Sequence, residues 1–360
     1  MVRRGEYAIF CYVTSNDANE PCCMLKTKHT FLHCLRKTLP LSLPILFSTP
    51  VYAAEKLCAI YPHLKDSYWL SVNYGMVSEA EKQKVNLRVL EAGGYPNTAK
   101  QQQQLMLCSK WGADAILLGT VDPMAFNENL QQWTGSIPVF ATVNQLELDE
   151  TQSKNLKGTV GVDWYWMGHQ AGHYLAQKHP AGSGTKNVVL LLGPKSSGGT
   201  KPVDKGFRDA IKGSDIHIME SFWADNDKEL QRNLVQQAID TPDVDYLVGS
   251  AVAMEAAISE LRSANKTGQI GLISTYLSHG IYRGLLRNKI EFAPTDQMVL
   301  QGRLSVDQAV NYLRHKPYQI HSSPTIEPLT PNTLNFSTIE DSLSPSEYRP
   351  IFDVKAVESQ

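Results

Sequence analysis

Short apolar runs recur along this chain, and each is followed by a longer segment whose apolar residues have helical spacing. The runs of the first half lie at residues 57–60, 85–91, 115–121, 137–143 and 159–162, and those of the second half at 188–192, 216–222, 245–249 and 270–274. Continuous apolar runs are typical of parallel strands covered on both faces, and their alternation with helices indicates βαβ units. The pattern therefore predicts an α/β protein with two doubly wound parallel sheets.

The length of the chain, 360 residues, allows one core of moderate size around each predicted sheet. We expect residues 54–158 and 298–322 to form an N-terminal lobe, and residues 159–297 to form a C-terminal lobe. Residues 323–360 contain several prolines and few apolar side chains. We therefore expect this last segment to be a tail that wraps the surface of the C-terminal lobe.

The N-terminal residues have the order of a secretory signal peptide, which we place at 24–53. A basic flank precedes an apolar run that is too short to span a bilayer, and small residues precede a cleavage point after Ala53. The flank consists of Lys26, Lys28, Arg36 and Lys37. Residues 1–23 are then an upstream extension, the alternative being a genuine disordered tail. No second long apolar stretch follows, so we predict an exported protein that does not insert into the membrane.

Two cysteines, Cys58 and Cys108, follow the predicted cleavage point. Cys58 lies in the first predicted strand, and Cys108 lies late in a predicted helix that could cover that strand. In an oxidising compartment such a pair can form a disulfide. The sequence leaves two alternatives, a disulfide or two separate buried thiols.

Charge and motifs exclude several classes of function. The formal net charge is −2 and charged residues make up 19% of the chain, which argues against nucleic acid as a partner. Residues 193–201 look like a phosphate-binding loop, but Gly199 stands where that motif needs its lysine. His169 and His173 lack the glutamate of a zinc enzyme between them, and we interpret them as a solvated or packing face. With no nucleophile or cofactor motif, we predict no catalytic residue, no metal and no cofactor.

Aromatic residues stand directly after several predicted strands. They are Tyr68, Trp69, Tyr95, Trp164 and Tyr276. Open parallel sheets bind ligands outside the carboxyl ends of their strands, so we expect these rings to meet in one crevice between the lobes. Ring faces with few fixed charges suit a small methylated ammonium group, which is attracted to the negative face of each ring. A single tyrosine after a strand is more often a packing residue, and only the coincidence of several rings predicts a site.

Polar groups complete the predicted site. Asp66 and Asp122 lie near strand ends, where either carboxylate would attract a positively charged ligand. A ligand oxygen would need a donor, such as the hydroxyl of Tyr68 or Tyr95, an indole N–H or a backbone N–H. Carboxylates at strand ends also serve in acid–base catalysis, but no nucleophile accompanies them here.

Several stretches resemble the type 1 periplasmic binding proteins, the ribose-binding-like family. Among them are LLGTVDP at 117–123, IPVFATVNQ at 137–145 and VGVDWYWMGHQAGHYL at 160–175. The resemblance extends from residue 56 to about residue 320. It implies two lobes joined by a hinge, a ligand between them, and a location in the periplasm of a Gram-negative cell. The family also includes DNA-binding repressors, but no helix-turn-helix segment precedes Leu57.

Departures from the sugar-binding members favour a methylated ligand. DPM at 122–124 and NQ at 144–145 stand where those members have Asp-Arg pairs, so the bidentate arginines that recognise hydroxyls are missing. DSYWLSVNYGM at 66–76 and VDWYWMG at 162–168 resemble members that sense trimethylamine N-oxide (TMAO). This closer resemblance implies capture of TMAO and signalling to a membrane sensor histidine kinase that controls TMAO respiration. The alternative is the solute-binding component of an importer for a sugar or a methylated amine.

Overall fold

A computed structural model describes residues 53–195 and 199–357 of the chain. The predicted extension 1–23, and the predicted signal peptide except Ala53, lie outside these residues. Within them the strands are β1 (Lys56–Tyr61), β2 (Asn86–Glu91), β3 (Ala115–Leu118), β4 (Val139–Thr142), β5 (Leu156–Val160), β6 (Lys186–Leu191), β7 (Ile216–Phe222), β8 (Tyr246–Gly249), β9 (Gly271–Ser274), β10 (Ala293–Thr295), β11 (His321–Ser322), β12 (Glu327–Leu329) and β13 (Asp353–Val354).

Helices follow most of the strands, as the apolar pattern predicts. They are α1 (Ser67–Gln83), α2 (Thr98–Trp111), α3 (Leu130–Thr134), α4 (Trp164–Lys178), α5 (Thr200–Ala210), α6 (Lys228–Asp240), α7 (Ala251–Ser263), α8 (His279–Leu286), α9 (Met298–Leu313) and α10 (Phe336–Ser342). A short 3-10 turn, Gln152–Asn155, precedes β5. None of the helices described is both long enough and apolar enough to cross a bilayer.

The first sheet has the strand order β11-β5-β4-β3-β1-β2-β13. Its strands pair in parallel, except that β13 runs antiparallel to β2. Along β1, Leu57 and Ala59 pack into one core cluster, whereas Cys58 and Ile60 pack into another. Successive side chains of a strand point to opposite faces, so this sheet is covered on both faces. That burial is why β1 is apolar throughout instead of alternating between apolar and polar residues.

The second sheet has the order β7-β6-β8-β9, and all of its strands are parallel. A separate two-stranded ribbon joins β10 to β12 in antiparallel pairing. The prediction of an α/β protein with two doubly wound parallel sheets is confirmed, because each sheet contains parallel strands joined by helical crossovers.

Two segments pair with a different sheet from the one predicted. Strand 159–162 was expected in the C-terminal lobe, but β5 pairs with β4 in the first sheet. The tail 323–360 is predicted on the C-terminal lobe; its strand β12 pairs with β10 of that predicted lobe, whereas its last strand, β13, pairs with β2 of the first sheet. Asn73 of α1 holds the tail there, because its side chain accepts from the Tyr348 hydroxyl at 2.7 Å and donates to the Ile351 carbonyl at 3.0 Å. The other lobe boundaries stay a prediction.

Cys58 of β1 and Cys108 of α2 form a disulfide, with their Cα atoms 5.7 Å apart. This decides between the two alternatives that the sequence left open. The bond closes a loop with a sequence separation of 50. Loop-closure entropy alone would then make the bond contribute about 4 kcal/mol to the free energy of unfolding.

Candidate ligand-binding site

A cavity lies at the carboxyl ends of strands from both sheets. In the first sheet β1 lies between β2 and β3, and in the second β6 lies between β7 and β8. At each of these points the strand order reverses direction, and open α/β sheets bind ligands in the crevice that results. The cavity is lined by Asp66, Tyr68, Trp69, Tyr95, Asn144, Trp164, Leu192, Gly199, Thr200, Val203, Asn226, Thr275 and Tyr276.

The first turn of α1 positions two of the rings. Asp66 is the N-cap of α1, and its carboxylate accepts from the backbone N–H groups of Tyr68 at 3.1 Å and Trp69 at 3.2 Å. Such capping satisfies backbone donors that the helix itself leaves unpaired. The Trp69 ring lies directly over Gly119, where a Cβ atom would come within 2.5 Å of it. A glycine after β3 is therefore required for this indole to reach the cavity.

Tyr68 is the ring that contacts the most other rings of the cavity. Its centroid lies 5.5 Å from that of Tyr276, 5.9 Å from Trp69 and 6.1 Å from Trp164. Trp164 and Tyr276 are 6.4 Å apart and perpendicular. The Tyr68–Trp164 pair is tilted and the other three pairs are edge-to-face, and all four distances are favourable for aromatic pairs. Elements of both sheets thus bring four of the predicted rings into one cluster.

Tyr95 and Trp164 are held by contacts of their own. The Tyr95 hydroxyl accepts from the Trp69 indole N–H at 3.4 Å. Trp164 begins α4, and its indole N–H donates to the Val143 carbonyl at 3.5 Å. The start of α5 packs against the same indole through Gly199, where a Cβ atom would lie 3.0 Å from the ring. All five predicted rings therefore line the cavity.

The polar groups of the cavity differ in whether they are free to contact a ligand. The Tyr68 hydroxyl donates to Asp296 at 2.5 Å, so its proton is directed away from the cavity. Both indole N–H groups have the acceptors given above. The buried Tyr276 hydroxyl has no hydrogen-bond acceptor among the residues that the structure describes. Tyr276 therefore has a buried donor that remains unused.

Burial keeps these phenols neutral. It raises the pKa of Tyr95 to about 12. It also raises the pKa of Tyr68 and of Tyr276 well above the ordinary value, and the negative charges of Asp296 and Asp66, respectively, add to this effect. Each phenol therefore keeps its proton at neutral pH. Asp66 and Glu255 both add negative charge near Tyr276, which favours a ligand that carries positive charge.

The ring-lined cavity has room for a small guest. The centres of water molecules can occupy about 50 Å³ of it. One water needs roughly 10–15 Å³ on this measure, so roughly three to five water-sized groups fit. A wider cleft, about 380 Å³ on the same measure, adjoins the cavity and shares Asp66, Tyr68, Asn226 and Tyr276 with it. The cleft offers a path by which a ligand can approach the rings.

Asp122 does not line the cavity, in contrast to its predicted place in the site. Its carboxylate accepts from the backbone N–H of Met124 at 2.8 Å, which stabilises the turn that follows β3. Sequence reasoning also missed several lining residues, among them Asn144, Asn226 and Thr275. These three directly follow or lie shortly after β4, β7 and β9, so the strand-end rule that identified the rings would have found them too.

The fold and the ring-lined cavity define a binding protein for a small ligand. Residues 54–314 match the family described as "Periplasmic binding proteins and sugar binding domain of LacI family", and the chain belongs to that family. The periplasmic protein TorT of Escherichia coli (strain K12) is 45% identical over 308 residues, which cover 85% of this chain and 87% of TorT.

Two solved structures of TorT in complex with the TorS sensor domain are also similar to this chain. One was determined in the absence of ligand and is 72% identical, and the other was determined in the presence of TMAO and is 73% identical. Each covers 83% of this chain and 99% of its own, with a TM-score of 0.79. The predicted type 1 periplasmic binding protein fold is confirmed.

Proposed function

We propose that this chain is a periplasmic binding protein that holds TMAO in the ring-lined cavity. In this role it would report the ligand to the periplasmic sensor domain of a membrane histidine kinase that controls TMAO respiration. The observation that carries the proposal is the meeting of five aromatic side chains, Tyr68, Trp69, Tyr95, Trp164 and Tyr276, in one small cavity. Periplasmic location is supported by the predicted signal peptide 24–53 and by the name of the TorT relative.

The chemistry of TMAO suits the rings. Its three methyl groups carry diffuse positive charge, and each ring face that contacts such a group contributes roughly 0.5–2 kcal/mol. Several rings together offset the entropic cost of binding and allow micromolar affinity, which corresponds to about 8 kcal/mol. With one nitrogen, one oxygen and three methyl groups, TMAO has five heavy atoms, which lies within the roughly three to five water-sized groups that the cavity admits.

The oxygen of TMAO requires a hydrogen-bond donor. Tyr276 supplies it in this proposal, because its hydroxyl is buried and its proton has no acceptor among the described residues. Asp66 lines the same cavity, where its carboxylate would attract the positive charge that the methyl groups carry. Binding rather than catalysis is the role we infer, in agreement with the family of binding proteins to which the chain belongs.

The signalling role rests on the relatives. TorT has been solved together with the TorS sensor domain both without ligand and with TMAO. At 72% and 73% identity to those chains, the surface that meets a sensor domain is expected to be retained here. The alternative role is delivery of a solute to an importer. It would use the same fold, but the partner would be a membrane importer instead of a sensor domain.

Calorimetry on residues 54–360 tests the ligand. We expect heat of binding with TMAO and none with ribose, and at least a tenfold loss of TMAO affinity in Trp164→Ala. The matched control is Trp166→Ala, because Trp166 lies on the same helix but is 50% exposed and does not line the cavity. Wild-type affinity in Trp164→Ala, or equal losses in the two variants, would contradict the proposed cage.

A second measurement distinguishes the two outputs. Co-elution with a purified periplasmic sensor domain, and TMAO-dependent signalling lost on deletion, would support the kinase role. If TMAO binds but no sensor domain is retained, and deletion abolishes uptake of a methylated amine, the importer role is correct instead.

A further inference from the structure

Asp296 is a fully buried carboxylic acid that does not line the cavity but contacts one of its rings. It follows β10 directly and has no exposed surface. The next residue, Gln297, has a left-handed backbone (φ 57°), which turns the chain sharply into α9. The Thr295 hydroxyl accepts from the Gln297 N–H at 3.2 Å and so supports the turn. The local sequence Thr-Asp-Gln thus directs the Asp296 side chain into the interior.

The carboxylate is held from two directions. Its Oδ2 atom accepts from the Tyr68 hydroxyl at 2.5 Å and from the Gln301 side-chain amide at 2.7 Å. The same Gln301 amide donates to the Asp296 carbonyl at 2.8 Å. Gln301 is itself fully buried in α9. The acceptor that meets Tyr68 is therefore fixed in position by a helix that packs against α1, the helix that carries Tyr68.

Tyr68 is consequently anchored at both ends. Its backbone lies in the first turn of α1, where its N–H donates a hydrogen bond to the Asp66 carboxylate. Its hydroxyl donates a hydrogen bond to Asp296. A phenol held in this way can neither rotate about its Cα–Cβ bond nor swing into the cavity without breaking a buried hydrogen bond. Because Tyr68 contacts Trp69, Trp164 and Tyr276, its orientation determines how the rings of both sheets meet.

We propose that Asp296 is a positioning residue that affects ligand binding through Tyr68. By accepting a hydrogen bond from the Tyr68 hydroxyl, Asp296 holds that ring in the orientation that closes the aromatic cavity. The inference rests on the proposed function. Asp296 acts as a hydrogen-bond acceptor and not through its charge. In support of this, Asp296 does not line the cavity, and its carboxylate contacts the Tyr68 hydroxyl instead. Burial raises the pKa of the Asp296 carboxyl, and the hydrogen bonds from Tyr68 and Gln301 oppose that shift. Because the Tyr68 hydroxyl donates its proton to Asp296, a group other than Tyr68 must donate a hydrogen bond to the ligand oxygen.

A mutant cycle tests whether Asp296 acts through Tyr68. TMAO affinity is measured by calorimetry for the wild type, Asp296→Leu, Tyr68→Phe and the double variant. We expect Asp296→Leu to weaken binding at least tenfold in the wild-type background but less than twofold in the Tyr68→Phe background. Since a purely structural contribution of Asp296 would be lost equally in both backgrounds, equal losses would overturn the proposal. Should Asp296→Leu fail to fold, Asp296→Ala takes its place in the same cycle.

Two further variants test whether Asp296 affects affinity as a hydrogen-bond acceptor, through its charge, or through the stability of the protein. Asp296→Asn keeps an oxygen that can accept from Tyr68, so affinity should remain within threefold of the wild type. A loss as large as that of Asp296→Leu would show that the charge acts on the ligand directly and would overturn the positioning role. The matched control is Gln308→Leu in α9, which removes buried hydrogen bonds to the Gln319 and Ile320 carbonyls, far along the helix from Asp296. It should lower the melting temperature and leave affinity unchanged.

The outcome for the wild type distinguishes this inference from the proposed function. If the wild type gives no heat with TMAO, the proposed function fails. If the wild type binds TMAO and Asp296→Leu binds it within threefold of that affinity, the positioning role alone is wrong.

Discussion

Replacing Tyr276 by phenylalanine tests whether its hydroxyl donates to the ligand oxygen. The side chain is 9% exposed, and the proton has no acceptor among the described residues. The oxygen of TMAO carries formal negative charge, and a hydrogen bond to a charged group contributes about 1.5–3 kcal/mol. Since about 1.4 kcal/mol corresponds to a factor of ten, Tyr276→Phe should weaken TMAO binding by roughly ten- to a hundredfold.

The ligand-free protein should respond differently to the same change. Tyr276→Phe removes a buried hydroxyl whose proton is unpaired, so the free energy of unfolding should stay constant or rise slightly. Tyr95→Phe is the matched control, because it deletes the acceptor of the Trp69 indole N–H, 3.4 Å away. Leaving that buried donor unpaired should lower the free energy of unfolding by about 1–3 kcal/mol.

Two assays check this pair of variants. Calorimetric titration with TMAO measures affinity, and urea denaturation without ligand measures the free energy of unfolding. The reasoning is refuted if Tyr276→Phe changes affinity by less than twofold. It is also refuted if the ligand-free variant is destabilised as much as Tyr95→Phe, because the hydroxyl would then have a structural partner.

Three further outcomes follow from the site and the fold. Gly199→Ala should weaken TMAO binding several-fold in calorimetry, because the new methyl group would lie 3.0 Å from the Trp164 ring and displace it. Reduction of the Cys58–Cys108 disulfide should lower the free energy of unfolding in urea by up to about 4 kcal/mol and leave affinity unchanged, since both cysteines lie in a core cluster away from the cavity. Because burial raises the pKa of Tyr95 to about 12, its contribution to stability should be complete below about pH 10, the pKa of an unfolded tyrosine, and decline as the pH rises further, as measured by urea denaturation from pH 9 to 11.

The rings of the site could be predicted from the sequence because two local signals coincide. An apolar run identifies a buried strand without knowledge of its neighbours, and the residues shortly after it lie at the ligand-binding edge of the sheet. Tyr95, Trp164 and Tyr276 follow this rule, and all three line the cavity. However, the rule cannot distinguish the strand ends that face the cavity from those that do not, because every strand end satisfies it.

Asp66 and Asp122 show that limit. Both follow strands of the first sheet, and nothing in their local sequence separates them. Asp66 caps α1 at the switch point and lines the cavity, whereas Asp122 stabilises its own turn. Which of the two carboxylates meets a ligand depends on where the second sheet lies, and this is a property of the tertiary structure.

The sequence by itself determined the nine apolar strands β1–β9, the helices between them, the two parallel sheets and the aromatic character of the site. It did so because burial produces a pattern of apolar residues that is visible within each short segment. Only the tertiary structure decided which sheet the tail joins, that Cys58 and Cys108 are bonded, and that Asp296 meets Tyr68. The last pair is separated by 228 positions along the chain. Contacts of this kind depend on the packing of whole elements, and no local pattern of residues encodes the distance between two side chains that the fold brings together.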